Sequence, residues 1–143
     1  MIRIRPLRDE DYDRLVELWT AAGLSHRPKG RDRREAIAAE IAGPSSVFLA
    51  AELDGEMIGV VLGTHDGRKG WINRLAVHPE HRRKGIGIAL VEAVEERLHD
   101  LGIRIVTCLI ETWNQDSVKF FERIGYVEHD ECKYYSKRQS SDT

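Results

Sequence analysis

The sequence predicts an α/β domain built on a mixed, mostly antiparallel sheet, and three observations carry that prediction. First, Asp54-Gly55 joins two apolar runs, Val47 to Leu53 and Met57 to Thr64. This is a strong hairpin signal, because glycine accepts the positive φ of a tight turn. Second, Trp71 to Val77 follows the Asp66 to Gly70 turn and extends the pair into a meander. Third, an amphipathic segment from about Gly85 to Leu101 leads into the nearly continuous apolar run Ile103 to Ile110. That order predicts a helical crossover to a strand parallel to Trp71 to Val77 and buried on both faces.

The remaining elements follow in chain order. Ile2 and Ile4 alternate with arginines and predict a short first strand. Asp9 caps a helix in which Tyr12, Leu15, Val16 and Trp19 recur at helical spacing, with Gly23 as its stop. Ser25 to Asp32 contains Pro28 and Gly30 and reads as a loop, and a weaker helix from Arg33 to Ile41 ends at Gly43-Pro44. In the long helix Leu90, Val91, Val94, Leu98 and Leu101 form the buried face and Glu92, Glu95, Glu96 and Arg97 the wet one, before Gly102. Asn114 or Asp116 caps a last helix burying Val118, Phe121 and Ile124 up to Gly125. Tyr126 to Glu128 and Glu131 to Ser136 predict a closing hairpin, and residues 137–143 a frayed tail.

With 143 residues the chain is expected to be one domain, 1–143, able to bury a core without staples. A net charge of −2 provides no global field for nucleic acid; the dense basic clusters, Arg27 to Arg34 and Arg82 to Lys84, are local. Cys108 and Cys132 show neither metal nor redox spacing, and free thiols suit a reducing compartment. The first residues alternate apolar and basic, and no run approaches membrane-spanning length. The expectation is a cytoplasmic protein with no membrane and no nucleic-acid partner.

The most informative stretch runs from Asn73 to Gly87, an apolar strand, a charged loop and two glycines opening a helix. Glycines at 85 and 87 let a ligand approach the backbone, and the first helical turn has N–H groups without intrahelical partners. Such an end binds anions, and Arg82, Arg83 and Lys84 point to a phosphate-bearing ligand. A P-loop needs Gly-Lys followed by Ser or Thr, which is absent. A dinucleotide fingerprint would place Leu90 at its third small position, and the segment His78 to Lys84 separates the strand from Gly85, although Glu111 could imitate the ribose-binding acid.

Arg82-x-x-Gly85-x-Gly87 after an apolar strand resembles the acyl-CoA pyrophosphate loop of the GNAT superfamily of N-acetyltransferases. Asn114-x-x-Ser117-x-x-Phe120-Phe121-x-x-x-Gly125-Tyr126 resembles a second family segment, at the expected distance. The resemblance covers most of the chain. It implies a sheet of six to seven strands with helices on both faces, and a parallel strand pair that splays apart around the pantetheine arm of acetyl-CoA. Leu75, Ala76 and Val77 would pair with that arm, and one of their N–H groups would polarise the thioester. Arg82, Arg83, Lys84, Gly85, Ile86, Gly87, Ile88 and Ala89 would hold the pyrophosphate. Asn114 and Ser117 would touch the pantetheine amides, with Phe120 packed on the arm; Asn114 is equally a helix cap.

The implied reaction is direct attack of a primary amine on the thioester, with no covalent enzyme intermediate. Here the chain departs from its relatives: Leu109 stands where ribosomal-protein N-terminal acetyltransferases carry glutamate, and Phe121 where a tyrosine commonly protonates the departing thiolate. The substitutes are Glu111, on the same strand face as Leu109, Asn73, which could orient a water, and the hydroxyls of Tyr126, Tyr134 or Tyr135. A domain that holds acyl-CoA as a sensor or interaction module is the rival reading. His78-x-x-His81 lacks a third metal ligand, so no metal is expected. Trp19, Trp71 and Trp113 read as packing residues. Arg27 to Arg34 lies where the family builds its acceptor wall, and a basic wall suits an amine that carries a carboxylate or phosphate. A small metabolite, a peptide N-terminus and lysine stay open as acceptors, as does a homodimer.

Overall fold

The computed structural model describes residues 1–141; residues 142 and 143, the end of the expected tail, lie outside the described residues. One sheet of five strands in the order β1-β2-β3-β4-β5 forms the centre. Strands β1 (Ile2–Pro6), β2 (Ser46–Leu53), β3 (Glu56–His65) and β4 (Lys69–Val77) are antiparallel neighbours, and β5 (Ile105–Cys108) runs parallel to β4. The β2–β3 turn holds Asp54 at φ 51° and Gly55 at φ 82°, the two positive angles that a primed hairpin requires.

Helices cover both faces. On one, α1 (Tyr12–Ala21) and α2 (Arg34–Ala42) bury Leu15, Leu18, Trp19 and Ile37 against Phe48, Val60, Leu62 and Ala76. On the other, α3 (Ile86–Asp100) and α4 (Gln115–Arg123) cover Leu49, Val61 and Ile72. Helices α1, α3 and α4 end in the same paired hydrogen bonds around Gly23, Gly102 and Gly125; in α3, Gly102 N–H donates to His99 and Ile103 N–H to Leu98.

Helix α3 sits on glycines. A Cβ at Gly59 would stand 3.0 Å from both Ile86 and Leu90, one at Gly63 2.9 Å from Val94, and one at Gly70 2.5 Å from Leu98. The residues meeting them recur every four positions, so one edge of the helix runs along a track without side chains.

Several expectations are corrected. The sheet has five strands, not six to seven, because neither Tyr126 to Glu128 nor Glu131 to Ser136 forms a strand. The segment 103–110 contributes only four strand residues, and Ile105 is 52% exposed because β5 is an edge, not a centre. Leu101 is 60% exposed, since it caps α3 where the helix has passed the sheet. Asp9 lies inside a 3-10 turn (Asp9–Asp11) that precedes α1, and its neighbour Asp11 does the anchoring. The Asp11 carboxylate accepts from Arg8 N–H at 2.8 Å and from the buried Arg5 guanidinium at 2.7 Å, and Arg5 also reaches Glu52 at 2.9 Å. Among the described residues no helix is long and apolar enough to cross a membrane.

The glycine track can be tested at Gly63. Its added Cβ would meet Val94 Cγ1 and also the Val47 carbonyl oxygen at 3.1 Å, which is backbone and cannot rotate away. Gly63→Val should therefore lower the unfolding free energy by about 1–3 kcal/mol, read by chemical denaturation.

Candidate active site

The parallel pair opens where the motifs meet. Pairing between β4 and β5 runs from Lys69↔Ile105 to Ile72↔Cys108 and then stops, while β4 continues to Val77. On its other side β4 carries a bulge: Leu62 pairs with Arg74 and Gly63 with Ile72, so Asn73 is the extra residue. A bulge adds bend and twist, and this one falls at the residue after the last pair with β5. Among the described residues, 73–77 have no strand partner on the β5 side, and an extended ligand can pair with such an edge.

Beyond β4 the chain makes a 3-10 turn (Pro79–His81), in which the His78 ring accepts from Glu80 N–H at 3.2 Å. Arg82 then reaches back to the Ala22 carbonyl at 3.3 Å, tying the loop to the end of α1. Arg83 has φ 65° and Gly85 φ 77°. A non-glycine residue in the left-handed region costs about 1–2 kcal/mol. Gly85 is the N-cap of α3, and no side chain caps that helix. Left-handed residues beside a free helix N-terminus form a concave nest of N–H groups suited to an anion. Arg83 and Lys84 are exposed at its rim.

The residues expected at the cofactor site differ in what they can offer a ligand. Ile86 and Ala76 are 3% exposed and face the core, so they can offer a ligand only backbone. Leu75, Val77 and Ala89 are partly buried, whereas Ile88 is 38% exposed. Gly87, Leu75 and Phe120 come together: a Cβ at Gly87 would lie 3.3 Å from the Phe120 ring and 3.9 Å from Leu75 Cδ2. The small residue at 87 thus seats a side chain of α4 against α3, a role the sequence did not reveal. Asn114 caps α4, its Oδ1 accepting from Ser117 N–H at 3.3 Å, which leaves its amide NH₂ free to donate.

Glu111 is exposed in the turn after β5, and its backbone carbonyl accepts from Asn114 N–H at 2.9 Å. Asn73 is exposed on the bulge and donates to Thr64 Oγ1 at 2.8 Å. Tyr126 is spoken for, because its hydroxyl donates to Glu95 Oε2 at 2.8 Å. Burial first, then that carboxylate, pushes the phenol well above its usual range, so it gives up a proton poorly. Glu95 is accordingly half-buried and not on the wet face that the periodicity suggested. Tyr134 and Tyr135 are 65% and 84% exposed. Phe121 is 6% exposed, its ring edge-on to Phe120 and Tyr126 at 5.1 Å from each. The rings of His78 and His81 lie 6.0 Å apart, and among the described residues no group of three metal-ligating side chains exists.

Residues 8–126 match the model of the acetyltransferase (GNAT) family, and the chain belongs to that family. It is 30% identical over 138 residues to a curated acetyltransferase of Photorhabdus laumondii, covering 96% of this chain and 95% of that one. Among solved structures it is similar to the PaiA N-acetyltransferase of Thermoplasma acidophilum in complex with coenzyme A, at 25% identity and TM-score 0.80, over 91% of this chain and 92% of that one. The fold is also that of the aminoglycoside N-acetyltransferase AAC(6')-Iy in complex with a CoA-linked bisubstrate analogue, at 18% identity and TM-score 0.81, over 96% and 99%.

The Tyr126–Glu95 contact makes the phenol a structural group. Tyr126→Phe should cost about 1 kcal/mol of stability in thermal or denaturant melts. Its kcat for acetyl transfer should stay within about threefold of the parent, roughly 0.7 kcal/mol in the barrier.

Proposed function

We propose that the chain is a single-domain N-acetyltransferase that moves an acetyl group from acetyl-CoA to a primary amine. The observation that carries this reading is the uncapped N-terminus of α3, with left-handed Arg83 and Gly85, opening beside the unpaired stretch 73–77 of β4. One end suits a pyrophosphate and the other an extended amide-bearing arm. The coenzyme A complex of the T. acidophilum relative supports the same ligand.

In this reading the pyrophosphate lies on the N–H groups of Ile86, Gly87, Ile88 and Ala89, with Arg83 and Lys84 adding charge. Arg82 fixes the loop against α1. Backbone of Leu75, Ala76 and Val77 pairs with the pantetheine arm, Phe120 packs on it, and Asn114 and Ser117 meet its amides. The amine lone pair attacks the thioester carbonyl carbon, and a β4 N–H stabilises the tetrahedral oxyanion. The C–S bond then breaks, CoA leaves as thiolate, and the nitrogen sheds a proton.

An alkylamine with pKa near 10 is only about one part in a thousand neutral at pH 7, a cost of roughly 4 kcal/mol, so its proton must be removed. Glu111, or water on the free Oδ1 of Asn73, takes it. Water protonates the thiolate, because Phe121 has no hydroxyl and Tyr126 is held by Glu95. The acceptor class is a small metabolite, a peptide N-terminus or lysine. The same two aromatic residues favour a second reading, an acyl-CoA-binding module without turnover.

Two measurements test these readings. In calorimetry, Arg83→Glu/Lys84→Glu should weaken CoA binding at least about tenfold, or 1.4 kcal/mol; unchanged affinity excludes the loop as the site. This pair is preferable to a change at Gly87, which would also displace Phe120. A thiol-release assay over an amine and peptide panel should show acceptor-dependent CoA release. Tight acetyl-CoA binding with no release above hydrolysis would establish the binding module.

A further inference from the structure

Arg74 is the one basic residue inside the run Trp71 to Val77, immediately after the bulge and at the mouth of the strand opening. Its side chain turns to the α1 face, where the guanidinium lies 4.6 Å over the Trp19 ring. Nη2 donates to Asp32 Oδ2 at 2.9 Å, and the pair is largely buried, with side chains 14% and 6% exposed. Asp32 is already shared, because the same oxygen accepts from Arg27 N–H. The fork is therefore half filled. Among the described residues, neither Nη1 of Arg74 nor Nε1 of Trp19, both buried donors, has a hydrogen-bond partner. An unpaired buried donor is costly, and native proteins keep few of them.

The segment over this stack is the α1–α2 loop, whose His26 ring lies 5.9 Å from Trp19 and whose Asp32 holds the guanidinium. It carries His26, Arg27, Lys29, Arg31 and Arg33 against Asp32 alone. Glu40, at the end of α2, is pushed upward, first by burial and then by Asp32, so it resists adding a second negative charge. The local balance favours an incoming anion over a polycation.

The geometry points to Arg74, backed by Trp19, as the residue that selects the acceptor: it receives a carboxylate on an amino-acid-type amine whose nitrogen enters the opening between β4 and β5. This rests on the acetyltransferase reading above. The His26 end of the α1–α2 loop swings off Trp19 to admit the acceptor, and the substrate carboxylate takes Nη1 and the indole N–H while Asp32, at the other end of the loop, stays in place on Nη2. The planar fork of arginine allows two carboxylates at once, which a lysine ammonium does not reproduce.

The test compares α-, β- and γ-amino acids with their own carboxamides as acceptors, using CoA release. Parent kcat/KM should favour at least one amino acid over its amide by more than about tenfold. Arg74→Gln should collapse that ratio toward one, chiefly through KM, and Arg74→Lys should restore it only in part. Amides used as well as acids by the parent, or a ratio unchanged in a folded Arg74→Gln, overturns the assignment. If nothing is acetylated although acetyl-CoA binds, the enzyme reading fails separately, and binding decides this one. Calorimetry in saturating CoA should then detect the N-acetyl amino acids and not their amides, and no difference between them overturns it.

Discussion

The seating of α3 on Gly59, Gly63 and Gly70 is the constraint on which the site depends. A helix laid over ordinary strand side chains stands well off the sheet; here the track lets Ile86, Leu90, Val94 and Leu98 reach the strand backbone. The contacts run from β3 residue 59, near the end of β4, to β4 residue 70, so they fix the direction of the helix as well as its depth. Its free N-terminus is held beside the point where β4 leaves β5. A rotation of one residue would turn Ile86 out of the core and the N–H groups away from the strand end. The candidate anion site is thus a product of core packing, and only its rim of Arg83 and Lys84 is independent of it.

How much of this was legible in the sequence depended on whether a signal was local. The Asp54-Gly55 turn, the meander and the glycine stops of α1, α3 and α4 are set within a few residues, and each stands where the pattern placed it. The fate of 103–110 and 126–136 depended on neighbours that periodicity does not see. An apolar run reads alike in a central strand and at an edge, and here it is an edge whose Ile105 meets solvent. Within the candidate site, the loop from Arg82 to Gly87 stands out in the sequence because glycine and charge have few other uses together. The partners do not. Nothing at position 87 announces that Phe120 lies on it, nor at 126 that Glu95, far away in sequence, takes its hydroxyl. For Arg74 a signal existed, a lone cation inside an apolar strand, of the same kind that drew attention to Asn73 beside it.

Departures from local rule occur across the molecule: Arg5 pairs with Asp11 and Glu52 but leaves its Nε unpaired among the described residues, Asp54 takes a positive φ in the hairpin turn, and α1 and α2 start without a side-chain cap. At the opening several of them fall together: Arg83 sits in a left-handed conformation, α3 starts without a side-chain cap, and Arg74 and Trp19 keep unpaired donors. Natural sequences often depart from local consistency at functional sites.

The sheet order also sets the sequence of assembly. Strands β2, β3 and β4 are joined by short turns, so their pairing closes small loops and costs little chain entropy. The parallel contact between β4 and β5 spans only four residue pairs and must await the whole of α3, a much larger loop. In a folding chain the meander is therefore the early platform and the β5–α4 half docks late. The same half is then the first to detach in native-state fluctuations. A cofactor arm laid between β4 and α4 bridges the early and late parts, so its binding would act as a clasp on the least secure seam of the fold.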